Sequence, residues 1–181
     1  MQGYIDAEGP LLDSITSDAV ACVRGTYVVK LLEEGGCIER RQDLPPEALW
    51  QVDEVTTEFA KLPGFAQTRL FHAVSYGWTS PDHPDPDRFH LANLWPVVKT
   101  RLWQIQSGGL DDAAIFWDFA SLYQKAKKPG AVERTDAQKV LFYQGLNAAN
   151  VWYGPQLTTP GPPPRDTSGN QTGESNQGPP G

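Results

Sequence analysis

An α/β fold built on a parallel strand pair is predicted by three observations. Two apolar segments with strand character, Arg69-Leu-Phe-His-Ala-Val-Ser-Tyr-Gly-Trp78 and Ala113-Ala-Ile-Phe-Trp-Asp-Phe-Ala-Ser-Leu-Tyr-Gln124, are separated by a stretch of helical periodicity, and a second helical stretch follows. Strand, helix, strand, helix is the order of a parallel sheet covered by helices. The run Ala114-Ile-Phe-Trp117 shows no alternation, as expected of a strand buried on both faces. Both strands end in polar, aromatic-flanked turns. Ligands of such sheets sit outside the carboxyl ends of the strands, so Ser75, Tyr76, Trp78, Asp118, Ser121 and Gln124 are the candidate ligand-binding residues.

Taken in order, residues 1–24 form a poorly defined N-terminal arm. Its modest apolar clusters, Leu11, Leu12, Ile15, Val20 and Val23, are compatible with a short helix beginning near Asp13. Residues 25–67 read as a β-hairpin and short helices packing on the core. Thr26-Tyr-Val-Val-Lys-Leu-Leu32 is β-branched and apolar, Glu33-Glu-Gly-Gly36 offers a turn, and Cys37-Ile-Glu-Arg-Arg41 can return. Pro46-Glu-Ala-Leu-Trp50 suits a helical turn with proline near its first position. Val55, Phe59 and Leu62 then repeat at helical spacing up to Pro63-Gly64.

The α/β core is predicted over 68–157. After its first strand, Asp85 before Pro86 suits a helix N-cap, and Leu91, Leu94, Val98, Leu102 and Ile105 make one apolar helix face. Pro96 predicts a kink or two short helices meeting near Trp95. Ser107-Gly-Gly109 stops the helix. The last helix, from about Thr135 to Val151, puts Phe142, Leu146, Ala149 and Tyr153 on one stripe. From 158 to 181 the chain is rich in Pro and Gly without an aliphatic or aromatic residue, a composition that cannot offset its ordering entropy, and a disordered tail is expected.

The 181 residues include 15 basic and 22 acidic ones, a formal net charge of −7. With no dense basic run beyond Lys125-Ala-Lys-Lys128, nucleic acid is not an expected partner. The acidic opening segment does not resemble a secretory leader and no apolar run reaches membrane-spanning length, so no membrane association and a cytoplasmic location are expected. In that compartment Cys22 and Cys37 are expected as two free thiols, although they could pair across a hairpin.

Chemical signals are sparse. Asp118 supplies a carboxylate, Ser75 and Tyr76 hydroxyls, and Gln124 an amide, a candidate polar crevice, but an Asp at such a position more often caps or hydrogen-bonds a neighbouring turn. Asp82, His83, Asp85, Asp87 and His90 bring three carboxylates and two imidazoles into one loop. The loop lacks EF-hand spacing and a His-x-x-x-His pair, and neither a metal nor a cofactor is expected. His72 reads as a packed strand histidine. Trp78, Trp95, Trp103 and Trp117 read most simply as packing bulk. No Gly-x-Ser-x-Gly or phosphate-cradling glycine loop is present.

At these same strand ends the chain resembles the heterokaryon-incompatibility (HET) domain group. Its members carry an apolar strand ending in a Leu-Ser-Tyr-x-Trp-Gly-like turn, a helix, and a Trp-Ile-Asp-x-x-Cys-Ile-x-Gln-like strand. The counterparts here are Val74-Ser-Tyr-Gly-Trp78 and Phe116-Trp-Asp-Phe-Ala-Ser-Leu-Tyr-Gln124, followed by Glu133-Arg134, Gln138 and Trp152-Tyr153 in the family's order. The resemblance covers about residues 69–153. It implies a flavodoxin-like parallel sheet of the Toll/interleukin-receptor (TIR) type, flanked by helices and apparently truncated, because Gly154-Pro155 follows Tyr153 where a further strand is expected. It also implies a signalling or immunity-type interaction domain that self-associates or docks onto related domains. The alternative it implies is a hydrolase cleaving NAD, with Glu133 as the catalytic acid and Asp118 beside it, or an inactive truncated copy.

Overall fold

The computed structural model describes residues 8–62, 69–126 and 130–153. Along them run α1 (Glu8–Thr16), β1 (Val23–Arg24), α2 (Gly25–Glu33), α3 (Val52–Lys61), β2 (Phe71–Val74), α4 (Phe89–Ser107), β3 (Ala114–Trp117), α5 (Asp118–Ser121) and α6 (Asp136–Trp152). Short 3-10 turns lie at Arg41–Asp43 and Pro46–Ala48. The tail expected over 158–181 and the Pro63-Gly64 stop lie outside the described residues.

The fold is α/β, with a three-stranded mixed sheet in the order β1-β3-β2. The predicted parallel pair is present: Phe71 lies opposite Ala114 and Val74 opposite Trp117, with α4 as the crossover. The described strands do not make the all-parallel flavodoxin-like sheet, because β1 pairs antiparallel to β3, Val23 opposite Ile115. The two-residue β1 runs straight into a helix whose first N–H, on Gly25, bonds the Ala113 carbonyl at 2.9 Å, and it lies on the edge of β3 opposite to β2. With β3 central, all four of its side chains are buried, as its unbroken apolar run requires.

The two sheet faces have different covers. Phe71 and Phe116 meet Trp152 of α6, which stacks on Phe116 at 4.9 Å between centroids and stands edge-on to Phe71 at 5.6 Å. The Trp152 indole also donates to the Ser14 hydroxyl at 3.2 Å, tying α6 to α1. On the other face, Trp117 meets Tyr76, which stacks on His90 of α4. Leu91, Val98, Leu102 and Ile105 of α4 are buried as their spacing predicts. Leu11 and Ile15 of α1 join the same core.

Residues 25–33 correct the predicted hairpin, since they form helix α2. Strand preference expresses packing as much as backbone bias, and Val28, Leu31 and Leu32 also fit a helical face. Two tertiary devices decide for the helix. The Asp112 carboxylate, from the turn before β3, accepts the Thr26 N–H at 2.9 Å and the Thr26 hydroxyl, capping α2 from outside its own chain segment. At the other end Gly35 adopts φ +72°, with Gly36 N–H bonded to the Leu31 carbonyl at 2.8 Å and Gly35 N–H to that of Leu32 at 3.1 Å. That is a Schellman stop, built from the same Glu-Glu-Gly-Gly residues that suggest a hairpin turn.

Helix α4 is continuous through Pro96, where a kink or break is predicted. The proline lies on the exposed side, so the Ala92 carbonyl it leaves unbonded is open to water and the usual cost of an interior proline is reduced. The helix starts at Phe89 rather than directly after Asp85. Even so, the buried Asp85 carboxylate accepts the N–H groups of His90 at 3.0 Å and Leu91 at 2.7 Å. Gly109, at φ +90°, closes the far end with a second Schellman pattern, Leu110 N–H to the Ile105 carbonyl. In α6 the expected stripe is rotated: Gly145 is buried where Leu146 is exposed, because a Cβ at 145 would stand 2.5 Å from the Ala19 carbonyl oxygen.

Candidate functional site

Parallel pairing of β2 and β3 brings the two predicted turns to one end of the sheet, since Val74 and Trp117 are register partners. Asp118 follows β3 directly and begins the single turn of α5. Its Oδ1 accepts the N–H of Phe119 at 2.7 Å, and its Oδ2 lies 3.4 Å from the Trp78 indole nitrogen. Burial pushes the Asp118 carboxyl above its usual range, opposed by the Phe119 N–H and the Trp78 indole. Tyr153, at the end of α6, donates its hydroxyl to the Val74 carbonyl at 3.2 Å, and burial and the Asp118 charge push its phenol up.

Tyr76 is sandwiched rather than displayed. Its ring stacks on His90 at 3.8 Å between centroids and meets Trp117 edge-on at 5.5 Å. Burial, then the charges of Asp85 and Asp118, raise its phenol. Among the described residues His90 Nε2 is buried without a hydrogen-bond partner, while the Trp117 indole opposes the rise of the buried Tyr76 phenol. Ser75 is exposed beside this cluster.

Ser121 and Gln124 take supporting positions. The Ser121 hydroxyl is fully buried and accepts the Trp117 N–H at 2.9 Å, closing the turn that aims Asp118. The Gln124 amide donates to the carbonyls of Asp118 at 3.0 Å and Leu122 at 3.1 Å. Its backbone is held in turn by Gln42, which donates to the Gln124 carbonyl at 2.6 Å and accepts its N–H at 3.1 Å. Gln42 carries no sequence signal for this role, because the pair spans 82 residues.

Glu133 occupies the loop before α6 with an exposed carboxylate. The Arg134 N–H, then the Ala126 N–H and the charges of Arg134 and Lys139, hold it below the usual carboxylate range. Its neighbour Arg134 is buried, donating to the Tyr123 carbonyl at 3.2 Å with its guanidinium 4.4 Å from the Phe142 ring centroid.

The acidic loop after Trp78 is tied up internally. His83 Nδ1 accepts the Asp85 N–H at 2.9 Å, so Nε2 carries the proton and donates to the Ile38 carbonyl at 2.8 Å. Both Asp85 oxygens serve the α4 N-terminus, and the Thr79 N–H and the Ser80 hydroxyl close the loop on the carbonyls of Pro84 and His83. The His83 ring leans on Phe119 at 4.9 Å, and Trp78 on the same ring at 5.6 Å, so this loop positions Trp78 against Asp118.

Cys22 is buried and its thiol is pushed up by that burial; Cys37 is half-buried, and both are free. Among the described residues no helix is long and apolar enough to cross a membrane. Trp103, expected as packing bulk, is exposed on α4, because it lies on the side opposite Leu91, Val98, Leu102 and Ile105. Comparison with known proteins leaves the chain on its own: no family model, no curated protein and no solved structure matches it.

Proposed function

We propose that this protein is a signalling or immunity-type interaction domain that acts by self-association or by docking onto related domains. The observation that carries the reading is the set of exposed aromatic side chains on its two long helices. Phe89 and Trp103 of α4 are 63% and 67% exposed, and Tyr143 of α6 is 61% exposed. A single exposed apolar residue needs no explanation, but several large aromatic side chains turned to solvent on two helices are of the residue types enriched at interface centres. The order of polar and aromatic residues at the strand ends, with its HET-like pattern and TIR-like parallel pair, supports the same reading.

Cleavage of NAD is the second reading, and Asp118 is the observation in its favour. A carboxyl with raised pKa, flanked by the Trp78 indole and near Tyr153, suits contact with a sugar hydroxyl or with developing positive charge. The acid that this reading needs in the crevice is Glu133, which is exposed and engaged with the Arg134 and Ala126 N–H groups. The interaction reading requires no such convergence.

The two readings separate in one set of samples. Sedimentation velocity over a wide concentration range is expected to show reversible association, while incubation with NAD releases no nicotinamide. A monomer at every concentration would count against the interaction domain. Nicotinamide release lost in both Asp118→Asn and Glu133→Ala would establish the hydrolase instead.

A further inference from the structure

The loop between β2 and α4 is fastened by one imidazole. His83 Nδ1 accepts the N–H of Asp85, a residue 1% exposed, at 2.9 Å, and His83 Nε2 donates to the Ile38 carbonyl at 2.8 Å. Both ring nitrogens are thus committed in the neutral tautomer, one as acceptor and one as donor. The ring also meets Phe119 at 4.9 Å between centroids, and Phe119 is the ring on which Trp78 stands edge-on at 5.6 Å. One side chain therefore ties together the loop, residues 37–41 and the turn that Asp118 begins.

A proton added to this ring has one place to go. On Nδ1 it turns the acceptor into a donor facing the Asp85 N–H, so two N–H groups oppose each other where a hydrogen bond now stands. The charged ring and the closed loop are incompatible. Protonation removes the bond, strands a buried backbone N–H, and moves the ring off its seat against Phe119.

The surroundings supply the second state. Charged and titratable groups on the segments packed against the ring are Asp82, Asp85, Asp87 and Arg88 on its own loop, Cys37, Glu39 and Arg40 beside Ile38, Asp118 beside Phe119, and His90, whose N–H the Asp85 carboxylate accepts. Carboxylates outnumber bases among them, and Arg40 is already paired with both oxygens of Asp43. A displaced imidazolium finds a negative field, with Asp82 and Asp85 one and two residues away in the chain. The neutral ring favours the closed loop and the charged ring the open one, so protons shift the population toward opening.

We propose that His83 is a proton-operated latch on the strand-end crevice: neutral, it pins residues 79–85 to Ile38 and Phe119 and holds Trp78 against Asp118; protonated, it lets go of the Asp85 N–H and releases that side of the crevice. The device goes beyond both readings above, because it governs access to the strand ends independently of what the domain engages there.

The test is hydrogen exchange of the full chain, read amide by amide from about pH 8 to about pH 5 in wild type and His83→Asn. Asparagine brings a side-chain oxygen that accepts the Asp85 N–H in an Asx turn, but takes up no proton. In wild type the protection factor of the Asp85 amide is expected to fall by up to about tenfold per pH unit, one proton's worth, and that of Thr79, whose N–H bonds the Pro84 carbonyl at 3.0 Å, to fall with it. The Ala114 amide, bonded to the Leu70 carbonyl at 2.9 Å, should keep its protection and so separate latch opening from unfolding. Oxidation of Trp78 by hydroxyl radicals should rise over the same range. In His83→Asn these dependences should flatten, since the titrations of His72, His90 and Asp118 are common to both proteins. His83→Gln is the second non-titrating variant should the first be unfolded, and its Asp85 protection should not change with pH. Asp85 protection that stays constant in wild type, or that falls equally in both proteins, overturns the latch. Asp85 protection lost while Trp78 oxidation stays constant overturns its hold on the crevice.

Discussion

Replacing Asp85 by Ala tests whether the acidic loop is a fastener of the fold. The carboxylate is buried, with one oxygen 3.0 Å from the His90 N–H and the other 2.7 Å from that of Leu91. Removing an N-terminal cap costs about 1 kcal/mol, and leaving the buried Leu91 N–H unpaired adds about 1–3 kcal/mol. The expected loss is about 2–4 kcal/mol. With a urea slope of about 2 kcal/mol/M, that moves the midpoint down by about 1–2 M. Asp85→Asn keeps one acceptor and turns an amide N–H toward the other donor, so it should recover no more than half. Asp87→Ala, two residues on and exposed, is the control and should fall within about 0.5 kcal/mol of wild type. Equal losses in the Asp85 and Asp87 variants would refute the capping argument. So would a loss in Asp85→Ala that appears only when divalent cations are present, since that would make the loop a metal site.

Three further outcomes follow from named contacts. His72 is held at about 4, below the ordinary imidazole value of 6.5, by burial and by the charge of Arg101, so between those values the unfolded chain binds up to one proton more and stability falls as pH falls. The full drop is about 3 kcal/mol at about 1.4 kcal/mol per pKa unit. His72→Leu should flatten the dependence measured by urea titration at several pH values; an unchanged slope would contradict it. Asp112 and Asp118, with raised values, act in the opposite sense in both proteins and cancel in the comparison. Gly145→Ala places a Cβ against the Ala19 carbonyl oxygen and the Leu122 side chain and should cost about 1–3 kcal/mol or more, read as a lowered melting temperature; a neutral result would mean that α6 does not sit this close. Asp112→Ala uncaps α2 and strands the Thr26 N–H, an expected loss of about 1–3 kcal/mol with reduced helical dichroism, whereas retained helicity would show that α2 does not depend on this cap.

The parts of the fold legible in the sequence are those where one local signal has one outcome. The unbroken apolar run of β3 reads as a doubly covered strand, and the spacing of Leu91, Val98, Leu102 and Ile105 as a helix face. The segment 25–36 is not legible, because Gly35-Gly36 serves a hairpin turn and a Schellman stop equally well and the residue that settles it, Asp112, is distant in sequence. The antiparallel β1 escapes for a similar reason, since a two-residue strand has no periodicity to read. At the candidate site, Ser75, Tyr76, Trp78 and Asp118 are gathered at one sheet end as the parallel order implies. What differs is their employment. Ser121 and Gln124 hold the Asp118 turn, because a hydroxyl or amide at a strand end is equally able to satisfy the backbone, and Tyr76 is packed by its ring between His90 and Trp117.

Hydroxyl-radical footprinting of dilute and concentrated samples tests the central claim most directly, because it reads side-chain exposure at Trp103, Tyr143 and Trp78 in one experiment. Trp78 is 38% exposed at the strand ends and serves as the internal reference. Oxidation of Trp103 and Tyr143 is expected to fall together with concentration while that of Trp78 stays constant. Constant oxidation of the first two, with protection confined to Trp78, would contradict assembly through α4 and α6 and put the binding surface at the strand-end crevice.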